Sequence, residues 1–214
     1  NKLALFVTRD VTTRDAAEAA GRDRHDIKIY TMLTPIVAAT EDEAKAKYAD
    51  YAQYTDLNGA LALLSGWTGI DMSQYDLDDV IGEDVKSNAI QSSVETFKKA
   101  SGDSDKPWTI RQLAEWIGVG GFGPIAVGDG KQVAEQMIEW VRDTDVDGFN
   151  LAYAITPGTF EDVVEFVVPE LQALGAYPTE YEEGTLRQKL FGKGDRLPEQ
   201  HRGASFRVGA AAKV

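Results

Sequence analysis

The sequence predicts an α/β fold built on parallel strands, and three observations lead to this prediction. Short continuous apolar runs, such as residues 3–7 and 27–37, are typical of strands that are buried on both faces. Segments with helical periodicity alternate with these runs, and glycine- and proline-rich breaks separate them. With its several excursions the pattern suits part of a (β/α)8 TIM barrel, while periodicity alone leaves an open doubly wound sheet as the alternative.

The first predicted elements are a strand at residues 3–7, a short helix that ends at Gly21, and a strand within residues 27–37. A parallel crossover needs about a dozen residues, and this one barely reaches that minimum. We therefore expect residues 11–14 to mark a junction from which part of the chain is missing. The sequence starts at Asn1 without a signal segment, so we expect further chain upstream.

The middle of the chain is predicted to be mainly helical. Thr40 and Glu43 have the spacing of a capping box, which opens a long helix that runs until Gly66. Residues 66–107 are interpreted as an excursion that Trp67 and Ile70 anchor, with a helix at residues 91–100. Another helix covers residues 109–117, with Thr109 as its cap.

Two strand and helix pairs follow in the last part of the chain. A strand at residues 125–127 precedes a helix over residues 130–142, and a strand at residues 148–154 precedes a helix that Thr159 caps and Gly175 ends. We expect residues 1–192 to form one part of the barrel and residues 193–214 to form a charged tail.

Composition narrows the possible functions. A net charge of -13, with basic residues dispersed along the chain, argues against a nucleic-acid partner. No apolar run approaches the roughly 20 residues that cross a bilayer, which argues against a membrane protein. The chain has no cysteine and only two distant histidines, so no metal site is predicted. A cytoplasmic location is compatible with these features.

Residues 118–123 (GVGGFG) have the G-x-G-x-x-G spacing of dinucleotide-binding loops, but the segment follows a predicted helix instead of a strand. Two interpretations therefore remain open, an active-site loop or a helix stop with a tight turn. Phe122, which glycines flank, either packs over a flat cofactor or plugs the loop onto the core.

Two polar residues near predicted strands are candidate ligand contacts. Asp129 follows the strand at residues 125–127, and Asn150 lies within the strand at residues 148–154. The helix after Asp129 could bind a phosphate through its free N–H groups, but we favour the interpretation that the Asp129 carboxylate caps them. Asn150 lies in a strand that is predicted to be buried, so its amide reaches either a ligand at the barrel mouth or a neighbouring loop. No catalytic residue can be assigned, so the chemistry is either carried by a cofactor or completed by residues outside this chain, and a cofactor fits the pattern.

Seven stretches of the chain, taken together, resemble one enzyme family. They are residues 21–29 (GRDRHDIKI), 34–48 (TPIVAATEDEAKAKY), 64–78 (LSGWTGIDMSQYDLD), 109–118 (TIRQLAEWIG), 127–141, 147–175 (DGFNLAYAITPGTFEDVVEFVVPELQALG) and 179–192. The chain is similar to the C-terminal half of the luciferase-like, flavin-dependent monooxygenases that act on nitrilotriacetate, dibenzothiophene sulfone and long-chain alkanes.

The resemblance implies a (β/α)8 barrel to which this chain contributes about the last four strand and helix units. It also implies a two-component enzyme, in which a separate reductase supplies reduced FMN. The reduced flavin reacts with O2 to form a flavin hydroperoxide, and this species oxidises a small organic substrate. The implied partners are the N-terminal half of the barrel, the flavin reductase and further copies of the same protein in a homo-oligomer.

The residues that the resemblance and the barrel geometry place at the flavin site lie at strand ends and in the glycine loop. They are Thr34, Gly120, Gly121, Phe122, Gly123, Asn150 and Phe160. Many relatives have a histidine in the loop where this chain has Phe122-Gly123-Pro124, which is a departure from the pattern. Two alternatives stay open, a non-catalytic luciferase-like subunit and an oxidoreductase that uses deazaflavin.

Overall fold

A computed structural model describes residues 13–80, 108–121, 123–199 and 201–207. The strand predicted at residues 3–7 and the helix predicted at residues 91–100 lie outside these ranges. The chain divides into two compact units, residues 1–177 and residues 178–214. The boundary near residue 192 and the junction near residues 11–14 stay predictions.

The first described elements follow the predicted order. Residues 13–19 are helical, and Gly21 ends this turn with φ +75°, a conformation that glycine adopts at little cost. Strand β1 spans Tyr30–Ala38. Helix α1 spans Glu41–Ala52, and the predicted capping box is present, because Thr40 accepts from the Glu43 N–H and Glu43 accepts from the Thr40 N–H.

The prediction of one long helix from residue 40 to Gly66 is wrong. Helix α1 ends at Ala52, and a second helix, α2, spans Leu57–Thr68. Asp56 is extended and its carboxylate accepts the Gly59 N–H at 2.7 Å, so it caps the start of α2. Apolar spacing continues across the break, whereas the local hydrogen bonds of Asp56 start a new helix.

Helices α2 and α3 enclose one apolar cluster. Helix α3 spans Ile110–Gly120 with Thr109 as its cap, as predicted, and a 3-10 turn spans Met72–Gln74. Trp67 and Ile70 were predicted to anchor the segment after α2, and both contact this cluster. Ile70 is one of its buried members, and Trp67 packs against it. The other buried members are Ala60, Leu64, Met72, Ile110, Leu113, Ala114 and Ile117.

The last part of the first unit alternates strand and helix, as predicted. Strand β2 spans Ile125–Asp129, helix α4 spans Gly130–Thr144 and strand β3 spans Gly148–Leu151. A continuous helical stretch follows, made of α5 (Gly158–Asp162), a π-helical turn (Val163–Val167) and α6 (Val168–Ala173).

The prediction that Thr159 caps the last helix is wrong. Thr159 lies inside α5, and its buried hydroxyl accepts the N–H groups of Ala154 and Ile155, both at 3.3 Å. A threonine at a helix start can bind backbone N–H groups on either side of it. Here the side chain fixes the preceding loop instead of the helix.

The three strands form one parallel sheet in the order β2-β1-β3. The carboxyl half of β1 pairs with β2, from Thr34 opposite Ile125 to Ala38 opposite Asp129. The amino half pairs with β3, from Tyr30 opposite Gly148 onward. The predicted α/β class with parallel strands is confirmed. Consecutive strands β2 and β3 both pair with β1 and not with each other.

One face of this sheet is covered and part of the other is bare. Helices α4 and α6 cover the first face with a second apolar cluster, whose buried members are Leu33, Val37, Ala126, Val133, Ala134, Trp140, Val167 and Leu171. Side chains alternate between faces along a strand. Thr31 is buried, whereas its neighbours Tyr30 and Met32 on the other face are 46% and 38% exposed. Asn150, which lies opposite Met32 on β3, is also exposed.

Beyond Leu33, where the pairing with β3 ends, two features occupy the β3 side of β1, namely Pro35 and a contact from Lys47. Leu33 accepts from Ala152 on the β3 side, and residues of a strand alternate sides, so Pro35 and Val37 face that side as well. Pro35 has no N–H to leave unpaired. The Lys47 ammonium donates to the Val37 carbonyl at 2.8 Å, which pairs one further acceptor on this edge.

The second unit, residues 178–214, contains two short described helices. Helix α7 spans Leu186–Phe191 and has a capping box formed by Thr185 and Gln188. A 3-10 turn spans Arg202–Phe206. The Arg187 guanidinium lies 5.0 Å from the centre of the Phe191 ring, a cation–π contact within this unit.

Candidate functional site

Thr34 holds the glycine loop in place. The expectation that it lies at a strand end is wrong, because β1 continues to Ala38 and Thr34 is its central residue. Thr34 is 1% exposed and donates from its hydroxyl to the Gly120 carbonyl at 3.2 Å. Its hydroxyl is therefore already used within the chain. The structure gives Thr34 a positioning role beneath the loop, at the end of α3.

Two glycines of this loop are required by packing and backbone geometry. A Cβ atom on Gly120 would lie 2.3 Å from the Ile125 side chain, and Gly121 has φ +63° with open space around its Cβ position. Helix α3 thus stops at these glycines, and an active-site role for the loop stays a prediction. Phe122 lies outside the described residues.

Gly123 and Asn150 both lie beside Met32. A Cβ on Gly123 would come within 3.0 Å of the Met32 side chain, and Asn150 is the register partner of Met32 on β3. Asn150 is exposed, so the expectation of a buried amide is wrong, because its face of the sheet is bare. Sequence analysis missed Met32, although its alternation with buried Thr31 and Leu33 was a usable signal.

Phe160 forms an aromatic pair with Tyr153. Their ring centres are 5.7 Å apart with the planes tilted at 55°, and the two side chains are 40% and 58% exposed. Tyr153 lies two residues after the end of β3, and Phe160 is in α5. Sequence analysis missed Tyr153. The available signal was an aromatic residue directly after a parallel strand, where ligands gather in such folds.

The amino terminus of α4 does not offer a phosphate site. The Asp129 carboxylate accepts the Gln132 N–H at 2.8 Å, and Gln132 completes a capping box, so the favoured interpretation is confirmed. A Cβ on Gly130 would lie 2.1 Å from the Phe166 carbonyl oxygen. The helix end is therefore both capped and packed against the π-helical turn.

The predicted site residues carry no charge, and the main electrostatic cluster lies elsewhere. It joins the segments that enter β1 and β3. Arg14, which is 1% exposed, donates to the Asp145 carbonyl at 2.6 Å and to Asp147 at 3.0 Å. Burial acts to raise the pKa of Asp147. Hydrogen bonds from the Ile29 N–H, Lys28 and Arg14 outweigh burial, so this pKa is held below its usual value.

No enclosed chamber surrounds the predicted site residues that the structure describes, since Asn150 and Phe160 lie on open surface. An open concavity of about 400 Å3 lies beside the segment before β1 and is lined by Thr13, Ala16, Ala17, Ala20, Arg22 and Ile27. In the described ranges, no group of three histidine or acidic side chains is placed to hold a metal ion. No helix in those ranges is long and apolar enough to cross a membrane.

The structure therefore brings the predicted residues together in two places. Thr34, Gly120 and Gly123 gather at the loop after α3, where Met32 links Gly123 to Asn150. Phe160 joins Tyr153 at the carboxyl end of β3. Chemically, the first place offers a neutral amide beside a thioether, and the second offers aromatic faces.

Two curated relatives match nearly the whole chain. The chain is 40% identical over 202 residues to the dimethyl-sulfide monooxygenase of Hyphomicrobium sulfonivorans, covering 93% of the chain and 42% of that protein. It is 38% identical over 203 residues to the long-chain alkane monooxygenase of Geobacillus thermodenitrificans, covering 94% and 41%. No model of a protein family matches the chain.

Solved structures agree with these matches. The crystal structure of DmoA from Hyphomicrobium sulfonivorans aligns with a TM-score of 0.81 and 37% identity, over 97% of this chain and 43% of that one. A riboflavin lyase solved with modified FMN and riboflavin aligns with a TM-score of 0.77 and 28% identity, over 96% and 44%. The parallel sheet described above thus corresponds to part of a luciferase-like barrel.

Relatives of the predicted kinds are among the matches. Nitrilotriacetate monooxygenase component A of Aminobacter aminovorans and a dibenzothiophene-sulfone monooxygenase of Rhodococcus erythropolis are 38% and 30% identical to the chain. The resemblance found in the sequence is therefore confirmed. The chain is a homologue of the luciferase-like monooxygenases and spans about two fifths of the length of the relatives it matches.

Proposed function

We propose that the complete protein is a two-component, FMNH2-dependent monooxygenase that uses O2 to oxidise a small organic substrate. This chain supplies part of its barrel. The observation that carries the proposal is that an exposed amide, Asn150, lies in the carboxyl half of β3, and an aromatic pair, Tyr153 and Phe160, follows directly after that strand. Barrel enzymes place their sites at this end of the strands.

The residues present fit the ring of a flavin. The exposed Asn150 amide can donate to and accept from the polar edge of the ring, and the faces of Tyr153 and Phe160 can pack against a flat molecule. Thr34 would act indirectly, since its bond to Gly120 holds the loop that borders Met32. When bound, reduced flavin would supply the electrons for O2 chemistry, and these residues would orient its ring.

The phosphate of FMN does not fit the amino terminus of α4, because Asp129 and the Phe166 carbonyl already occupy it. Its binding groups therefore belong to residues beyond the described site. We propose that an upstream part of the barrel supplies them. The bare sheet face at Tyr30, Met32 and Asn150 supports this partner, because the interior of such a barrel is filled by layers of side chains.

The remaining partners belong to the same proposal. A separate flavin reductase would deliver FMNH2, and the protein would assemble as a homo-oligomer in the cytoplasm. The absence of cysteine from the chain is compatible with a reducing compartment.

Anaerobic titration of the full-length protein with FMNH2 tests the proposal, with flavin fluorescence and absorbance as readouts. We expect saturable binding that Asn150→Ala weakens about 3- to 10-fold, the usual range for one lost hydrogen bond. Asn58→Ala, at an exposed position on α2, is the matched control and should bind as the parent does.

Two outcomes would replace the proposal with an alternative. A folded full-length protein that binds neither FMNH2 nor deazaflavin would be a non-catalytic subunit. A protein that binds reduced deazaflavin and not FMNH2 would be a hydride-transfer enzyme. If the parent and Asn150→Ala bind FMNH2 equally well, the proposed cofactor is supported, but Asn150 does not contact it.

A further inference from the structure

The second unit of the chain, residues 178–214, has almost no core of its own. It is 37 residues long, and chains of this length rarely bury enough apolar surface to fold without further support. Among those of its residues that the structure describes, Ala204 alone is buried. The side chains of Leu186 and Phe206 are 72% and 78% exposed. This unit therefore needs another surface to pack against.

Hydrogen bonds give residues 185–207, which we call the basic arm, a defined local structure. Helix α7 begins at a capping box and ends at Gly192, which has φ +63°. The Arg187 guanidinium donates to the Arg196 carbonyl at 3.0 Å and so joins α7 to the loop that follows it. These bonds fix the backbone while leaving Leu186 exposed. A segment that is held in this way loses less conformational entropy when it binds.

The basic arm is opposite in charge to the chain that precedes it. It contains six Lys or Arg and two Asp or Glu, which gives it a net charge of +4. Residues 1–184 contain 15 Lys or Arg and 33 Asp or Glu, a net charge of -18. Lys189 and Arg202 are exposed, and within the described residues neither takes part in an ion pair. The arm is therefore complementary in charge to the first unit of this same protein.

We propose that the basic arm binds the acidic first unit of a second copy of the chain, so that two copies exchange arms in a homodimer. The inference rests on the homo-oligomer of the proposed function, and it names the segment that holds that oligomer together. Opposite charges attract the arm, and Leu186 and Phe206 supply apolar contact. The arm has 23 residues, and one side of a stable interface has about 20–30. In a two-fold dimer every contact occurs twice.

Sedimentation equilibrium of the full-length protein measures the dissociation constant of the dimer. Lys189→Glu combined with Arg202→Glu should raise this constant about tenfold or more, because each dimer exchanges four attractive charges for repulsive ones. Lys45→Glu combined with Lys131→Glu is the matched control, since it changes the net charge equally at exposed positions of the first unit. The control should leave the constant unchanged or lower it. An equal rise in both variants would mean that overall repulsion between acidic copies sets the constant, which overturns the proposal.

A carbodiimide crosslinker, which joins Lys directly to Asp or Glu, locates the arm. Unlabelled and isotopically labelled full-length protein are mixed at high salt, which screens the charges, and returned to low salt before crosslinking. We expect peptides in which Lys189 of one isotope is joined to a carboxylate of residues 1–177 of the other. Crosslinks of Lys189 that stay within one isotope would place the arm on its own copy. That result, or a parent protein that sediments as a monomer, overturns the proposal.

FMNH2 binding by the parent protein keeps this proposal apart from the proposed function. If FMNH2 binds and the arm variant dimerises as the parent does, the arm has no role in the oligomer and the flavin-dependent function survives. If FMNH2 does not bind and the arm variant still dissociates the dimer, the arm is right and the monooxygenase proposal fails.

Discussion

Lys47 and Asp162 form an ion pair that ties α1 to α5, with 2.7 Å between the Lys47 Nζ and the Asp162 Oδ2. The same ammonium donates to the Val37 carbonyl at 2.8 Å, on the edge of β1. One lysine therefore joins the helix after β1, the strand itself and the helix that carries Phe160. This connection lies at the carboxyl end of β1, since β1 ends at Ala38.

Lys47→Met should lower the free energy of unfolding by about 1.5–3 kcal/mol, because the charged donor serves two acceptors in a partly buried place. Urea denaturation of the protein and the variant measures the difference. Lys45→Met is the matched control, since Lys45 is largely exposed and, within the described residues, its ion pair is with Glu41 on its own helix. Equal shifts in the two variants would show that the bridge adds no specific stability.

Arg14→Met should lower the free energy of unfolding by about 2–4 kcal/mol, because the Asp145 and Arg24 carbonyls lose a buried donor, while Asp147 keeps its bonds from Lys28 and the Ile29 N–H. The midpoint of thermal or urea denaturation is the readout. Arg24→Met, which removes a half-buried partner of Glu18 and Asp15, should shift that midpoint much less, because both carboxylates are largely solvated. If Arg14→Met changes the free energy of unfolding by less than about 1 kcal/mol, the account of Arg14 as a stabilising buried donor is contradicted.

Stability should fall in acid through Asp147. Its pKa in the folded protein lies below its value in the unfolded chain, so its contribution is complete above the unfolded pKa and is lost as pH falls through the folded one. Denaturation midpoints measured from pH 7 to pH 2 should therefore converge, below about pH 4, with those of Asp147→Asn. A constant gap between the two curves over this range would contradict the assignment.

Gly130→Ala should destabilise the protein by about 1–3 kcal/mol or more, because the new Cβ would overlap the Phe166 carbonyl oxygen at the α4 amino terminus. Gly66→Ala is the contrasting variant, since Gly66 lies within α2 and a Cβ there meets open space. It should stabilise the protein by about 0.5–1 kcal/mol through helix propensity. If both variants shift the urea midpoint by similar amounts, the close contact between Gly130 and the Phe166 carbonyl is contradicted.

Much of the fold could be predicted because its signals are local. The capping boxes at Thr40 and Thr109, the cap at Asp129 and the stop at Gly21 depend on residues within four positions, and each is where the sequence placed it. The break before Asp56 was missed because apolar spacing continues across it. Only the hydrogen bond of Asp56 to Gly59 starts the second helix.

The site was harder to predict because it depends on which faces the sheet leaves bare. Asn150 was expected to be buried, yet it shares an exposed face with Met32, a fact that follows from strand pairing. Tyr153 becomes a candidate site residue because its ring packs against Phe160. The two residues are seven positions apart, and Thr159 fixes the turn between them. Long-range contacts of this kind leave no periodic signal in a single sequence.

The central claim is that this chain forms one part of a flavin-binding barrel that a further segment completes. Native mass spectrometry of the protein isolated from its source, with a denaturing spectrum in parallel and FMNH2 added under anaerobic conditions, tests the claim most directly. We predict a polypeptide or a tight complex that carries further barrel strands and binds one FMNH2 per barrel. A folded species with the mass of this chain alone and no bound flavin would contradict the claim.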